Sequence, residues 1–266
     1  MNYFYTPVLE DVETYITLNS FPPLGDVSEH GEGFFIYQAW PEGHEWCLHS
    51  QGRLESYDSV NLAVLEEGST FPTDPLFCFL YPETLPDRLN KLPVAPIMNT
   101  PVMWRANLQF RSAGSVTSFQ AEYPDSMLKI PVGSLASFSP MVQTGEQVRS
   151  KLIVVNIRET PERERRDLIV MRLRSKERVL ETDVWTNTCN VVDLDSIEYS
   201  QSDPIGVFSP NMAGIPLYFT LDEVTGSMSF EHTHPPLSSM FFGEGRQEMV
   251  GEMKRYWMEI LQNAAN

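Results

Sequence analysis

The segment Glu231-His232-Thr233-His234-Pro235-Pro236 brings together residues suited to chemistry. Residues two apart share a face of an extended chain, so His232 and His234 would offer two imidazoles to one divalent metal such as zinc. Glu231 or Glu122 would then serve as acid/base or as a third ligand, the arrangement of a metal-dependent enzyme acting on a carbohydrate or other polar metabolite. The same phase carries Met228 and Phe230, which turns both imidazoles toward an apolar side, where a strand-end histidine bonded to backbone is the commoner outcome.

The string His232-Thr233-His234-Pro235 resembles the HxHP portion of the JAMM-type zinc metalloprotease motif. That motif goes on to a serine and an aspartate ligand, and Phe242 and Gly245 stand at those positions here. A cupin-like pair would need a glutamate shortly after it and a further histidine, and no histidine follows His234. A third nitrogen would have to come from His30, His44 or His49. The cluster His44, Cys47 and His49 supplies zinc-type donors, but a closed structural site takes four, and a buried cysteine beside surface histidines has the same spacing.

A second kind of site lies on a polar row. From Val102 to Arg111 the residues Val102, Trp104, Ala106, Leu108 and Phe110 alternate with Met103, Arg105, Asn107, Gln109 and Arg111. Thr117, Phe119, Ala121 and Tyr123 repeat the pattern after a turn at 112–115, so the two runs form a hairpin. That turn sets Gln109 opposite Ser118, Asn107 opposite Gln120 and Arg105 opposite Glu122. Arg105, Asn107, Gln109 and Gln120 are therefore the candidate ligand-binding residues, since amides and a guanidinium beside aromatic rings suit sugar hydroxyls.

The elements that must position these residues are mostly strands. Besides the hairpin, period-two or short apolar runs occur at 34–40, 60–65, 76–81, 135–139, 152–158, 168–174, 184–194, 216–221 and 227–232. About eleven strands separated by turn residues predict an all-β antiparallel sandwich or barrel. The run Leu76 to Leu80 is apolar on both faces and reads as central, whereas 168–174 alternates with Arg172 and Arg174 and reads as open on one face. From Glu244 to Ala264 the residues Met249, Val250, Met253, Tyr256, Trp257, Ile260 and Leu261 recur at helical spacing, predicting a C-terminal amphipathic helix packed on a sheet. The prolines at 86, 93, 96 and 101 make a long connection, which either wraps a single β-rich domain or joins an acidic lobe of about 1–90 to a main domain of 100–266.

Composition limits the partners. The 266 residues are 42% hydrophobic and 21% charged, and no apolar run approaches the about 18 residues of a membrane span. A net charge of −17 disfavours nucleic acid and anionic membranes. The basic residues concentrate at 149–178, ten against five acids, which suggests either cross-strand ion pairing or a patch through which copies of the chain associate. Three cysteines without CxxC spacing and an acidic start lacking a signal-peptide pattern predict a cytoplasmic or virion-associated protein. The phosphate loop, the nucleophile elbow and the dinucleotide fingerprint do not occur. The sequence thus favours a non-catalytic binding or assembly protein, its ligand a glycan or another protein subunit.

Overall fold

A computed structural model describes residues 2–5, 7, 9, 12–19, 34–55, 58–63, 77–94, 106–112, 114–120, 122–130, 132–138, 147–198, 200–232 and 246–263. Its strands form four antiparallel sheets. The six-stranded sheet has the order β10-β1-β6-β3-β4-β7, from β1 (Asn2–Tyr5), β3 (Phe34–Glu42), β4 (Glu45–Leu54), β6 (Phe77–Tyr81), β7 (Arg88–Leu89) and β10 (Glu122–Pro124). A four-stranded sheet, called the amide sheet below, has the order β5-β2-β8-β9, from β2 (Glu13–Asn19), β5 (Ser59–Ala63), β8 (Ala106–Ser112) and β9 (Ser115–Gln120). The central sheet is β15-β12-β17-β18, from β12 (Val148–Asn156), β15 (Thr188–Asp193), β17 (Ile215–Asp222) and β18 (Met228–His232). The helix-backed sheet is β11-β16-β13-β14, from β11 (Leu135–Ser137), β13 (Arg165–Arg172), β14 (Arg178–Trp185) and β16 (Ile205–Ser209), and α1 (Arg246–Asn263) packs on it.

Alternation along single strands assigns the layers. In β12, Ile153 and Val155 enter one core with residues of the six-stranded and amide sheets, while Leu152 and Val154 enter a second core with Leu168, Val170 and Val207. Ile169, Met171 and Phe208 leave the opposite face of the helix-backed sheet and meet Trp257 and Leu261 of α1. The order is therefore helix, helix-backed sheet, central sheet, then the other two sheets together, a layered sandwich and not a barrel. A strand with covered faces must be apolar at every position, and β6 is buried along Phe77, Cys78, Phe79 and Leu80 between β1 and β3, as its pattern predicts.

Four expectations are corrected. The strands exceed eleven, because short or polar ones such as β1, β4 and β7 lack an extended alternating run. Residues 168–171 are buried on both faces, since the central sheet covers Leu168 and Val170, on the side that Arg172 and Arg174 made look open, and α1 covers Ile169 and Met171. The run 184–194 is broken: β14 ends at Trp185 and β15 begins at Thr188, with Asn187 between them at φ 55°. The run ending at Tyr123 is also divided, as β9 ends at Gln120 and β10 joins the six-stranded sheet beside β1. In α1 Met253 and Tyr256 face outward, while Trp257 and Leu261 carry the packing. Strands from both sides of the proline-rich connection share sheets, β1 with β10 and β2 with β8.

Candidate functional site

The amide sheet has one buried and one polar face, and the burial of the first fixes the second. Ile16, Leu18, Leu108 and Phe110 lie in the core, so their strand neighbours must point the other way. Register then lines up rungs across three strands: Tyr15, Gln109 and Ser118 in one, Thr17, Asn107 and Gln120 in the next, and Glu13, Arg111 and Val116 at the end. The expected pairs Asn107–Gln120 and Gln109–Ser118 are both present, closed by the Ser112–Ser115 turn. Of the third expected pair, Glu122 lies opposite Phe4 in the six-stranded sheet. Arg105 and the side chains of Gln120 and Glu122 lie outside the described residues.

Contacts on this face orient its polar groups. The Arg111 guanidinium sits 4.6 Å from the Tyr15 ring centroid. An Arg111 Nη2 donates to Gln109 Oε1 at 3.3 Å, and the Tyr15 hydroxyl donates to Glu13 Oε2 at 3.2 Å. That bond engages the Gln109 oxygen, and the NH2 group of the same amide is a double donor. Asn107, one rung away and half-buried, adds an amide donor and acceptor, and Ser118 a hydroxyl. Such a row matches the alternating donors and acceptors of vicinal hydroxyls. Tyr15 and Thr17 were missed by sequence reasoning, although Glu13-Thr-Tyr-Ile-Thr-Leu carried the signal, alternating β-branched and apolar residues.

Of the histidine pair proposed as metal ligands, only the backbone of His232 falls among the described residues. His232 sits at the end of β18 opposite Leu217, on the core-facing phase of Phe219 and Phe230, but its side chain and His234 lie outside the described residues. Glu231 is exposed, opposite Tyr218. Among the described residues no group of three or more His, Cys, Asp or Glu side chains is placed to hold a metal ion. Cys47 is buried and donates to Glu42 Oε2 at 3.0 Å, and Arg88 bridges Glu42 and Glu45. Burial first, and then the Glu42 carboxylate, pushes the Cys47 thiol up to about 11. The same thiol, followed by Arg88, holds the Glu42 carboxyl below its ordinary range.

The basic segment is largely paired at home. Arg149 meets Glu223, Lys151 meets Asp193 and Asp195, Arg158 and Arg166 meet Glu164, Arg165 meets Asp183, and Arg178 meets Glu181. Arg172 donates to the carbonyls of Asp203 and Glu198. Cross-strand pairing thus takes up much of the local excess of positive charge.

These features define a class, an all-β layered sandwich with a C-terminal helix and one amide-rich open sheet face. Compared with known proteins, the chain matches no family model, no curated protein and no solved structure. Among the described residues no helix is long and apolar enough to cross a membrane.

Proposed function

We propose that the chain is a non-catalytic binding protein that holds a glycan on the outer face of the amide sheet. What supports this reading is the rigid row of Gln109, Asn107 and Ser118 beside the Tyr15–Arg111 pair, set on a sheet whose other face is anchored in the core. Shifted groups elsewhere point the same way. Burial keeps the Cys78 thiol and the Tyr123 and Tyr218 phenols protonated, and backbone hydrogen bonds keep Asp203 and Asp222 ionised, so these groups are poised for structure and not for proton transfer.

The test is a panel of neutral glycans titrated against the native protein and an Asn107→Ala/Gln109→Ala double variant. Each lost hydrogen bond of about 1.4 kcal/mol is a factor of about ten, so the double variant is expected to bind about a hundredfold more weakly with its melting temperature unchanged. A blank panel overturns the glycan reading. If light scattering then shows a mass above the monomer that falls with salt, the face or the basic segment serves assembly between subunits instead.

A further inference from the structure

Arg111, exposed on the open face of the amide sheet, is held in place without being neutralised. Its guanidinium lies over the Tyr15 ring, 4.6 Å from the centroid, and Nη2 donates to Gln109 Oε1 at 3.3 Å. Both partners are neutral. Glu13 is the direct cross-strand neighbour of Arg111, yet its carboxylate accepts from the Tyr15 hydroxyl at 3.2 Å and forms no ion pair with the guanidinium. Elsewhere the chain does the opposite: Arg88, Arg149, Arg158, Arg165, Arg166 and Arg178 each pair with a carboxylate.

A long side chain fixed by a ring stack and one amide loses rotamer freedom without gaining a counter-ion, in a chain whose net charge of −17 leaves carboxylates in excess. What the arrangement keeps is a planar fork of N–H donors, oriented and not paired with any anion among the described residues. That fork is the geometry that takes the two oxygens of a carboxylate side by side. The neighbouring rungs continue the surface. Gln109 and Asn107 follow Arg111 on the same face at steps of about 6.8 Å, and Ser118 lies across from Gln109. One such step is close to the width of a pyranose unit, so a sugar whose carboxylate sits on Arg111 carries its ring hydroxyls over Gln109 and Ser118.

We infer that the glycan held on this face is acidic, a uronate-type sugar whose carboxylate docks on Arg111 while its hydroxyls meet Gln109, Ser118 and Asn107. The inference rests on the glycan reading and adds the charge of the ligand to it. The negative charge of the rest of the molecule works against densely charged polymers, so the fit is to a sugar carrying a single carboxylate.

The probes are cellobiouronic acid and its methyl ester, disaccharides that differ in the charge on one carboxyl, titrated into the isotope-labelled full chain at neutral pH and followed by NMR. Propionate serves as a carboxylate without a sugar. The acid is expected to bind about tenfold more tightly than the ester, and propionate not to saturate. In Arg111→Gln the acid is expected to fall to the level of the ester. Equal binding of acid and ester by the native chain overturns the inference and leaves the glycan reading standing, whereas binding of neither disaccharide removes both. Propionate binding as tight as that of the acid overturns the inference in another way, since the site would then be a plain anion contact. A folded Arg111→Gln that still prefers the acid puts the carboxylate elsewhere and overturns the assignment to Arg111. Because the comparison of acid with ester uses the native chain, it decides the matter even if the variant fails to fold.

Discussion

Phe230 of β18 stacks on Phe110 of β8, ring centroids 4.6 Å apart and planes 15° from parallel, and so joins the edge of the central sheet to the amide sheet. Phe119 and Phe219 crowd the same ring at 5.2 and 5.9 Å. A second tie lies at the turns, where the Ser115 hydroxyl donates to the Gly226 carbonyl. The polar face of the amide sheet is therefore backed by an aromatic cluster drawn from two sheets.

Replacing Phe230 by Ala removes the ring shared by both sheets. Large-to-small substitutions of aromatic core residues cost about 3–5 kcal/mol when fully buried, and Phe230 is only partly so, which places the expected loss near about 3 kcal/mol. Urea denaturation followed by tryptophan fluorescence measures it. A change below about 1 kcal/mol would mean that the two sheets are held together by other contacts.

Thiol chemistry offers an independent check of burial. Desolvation pushes Cys78 up to about 12, and burial together with Glu42 pushes Cys47 up to about 11, so at pH 8 both are almost wholly thiol and not thiolate. Cys189 is also buried. A chromogenic disulfide reagent is expected to label native protein slowly and all three cysteines rapidly in denaturant. Rapid native labelling at Cys78 would contradict the placement of β6 at the centre of its sheet.

Legibility followed the range of the interactions. The Asn107–Gln120 and Gln109–Ser118 pairs could be read because a short turn fixes register and alternation fixes the face. The pairing of β10 with β1 could not, as Tyr123 keeps the alternating phase of β9 while the chain passes to another sheet, whose strand β1 is more than a hundred residues away. Coverage of Leu168 and Val170 depended on the central sheet stacking over the side that carries Arg172 and Arg174, which no local pattern encodes. Of the candidate site, the amides were visible in one hairpin, but Tyr15 and Thr17 arrive from a distant strand.

The break at 186–187 shows what a local pattern hides and leads to a third test. Asn187 has φ 55° and is 1% exposed. Its Oδ1 accepts from the Arg158 backbone N–H at 2.7 Å, and its Nδ2 donates to the carbonyls of Thr160 and Glu162 at 2.7 and 2.9 Å. Asn187→Ala leaves those buried groups unpaired and keeps the unfavourable backbone, for an expected loss of about 3 kcal/mol. Asn187→Gly should lose less, since glycine relieves the left-handed conformation although the hydrogen bonds are still missing. Equal melting temperatures for the two variants would mean that the backbone conformation contributes nothing.

Acid should unfold the protein through carboxylates bound to backbone. The Arg174 N–H, with further hydrogen bonds from Ser175, holds the Asp203 carboxyl below its ordinary range, and the N–H groups of Thr225 and Val224 do the same for Asp222. A carboxyl whose folded pKa lies below its unfolded value of about 3.9 stabilises the fold fully above that value, and the contribution is lost as pH falls through the folded pKa. Stability is therefore expected to be nearly flat from about pH 7 to about pH 5 and to drop below about pH 4. Asp203→Asn and Asp222→Asn keep an oxygen acceptor but lose the charge, so each should be less stable than the native chain at neutral pH and converge on it as the solution is acidified. Denaturant midpoints measured at intervals between pH 7 and pH 2.5 decide this, and curves that stay parallel throughout would show that the two turns owe their stability to shape and not to charge.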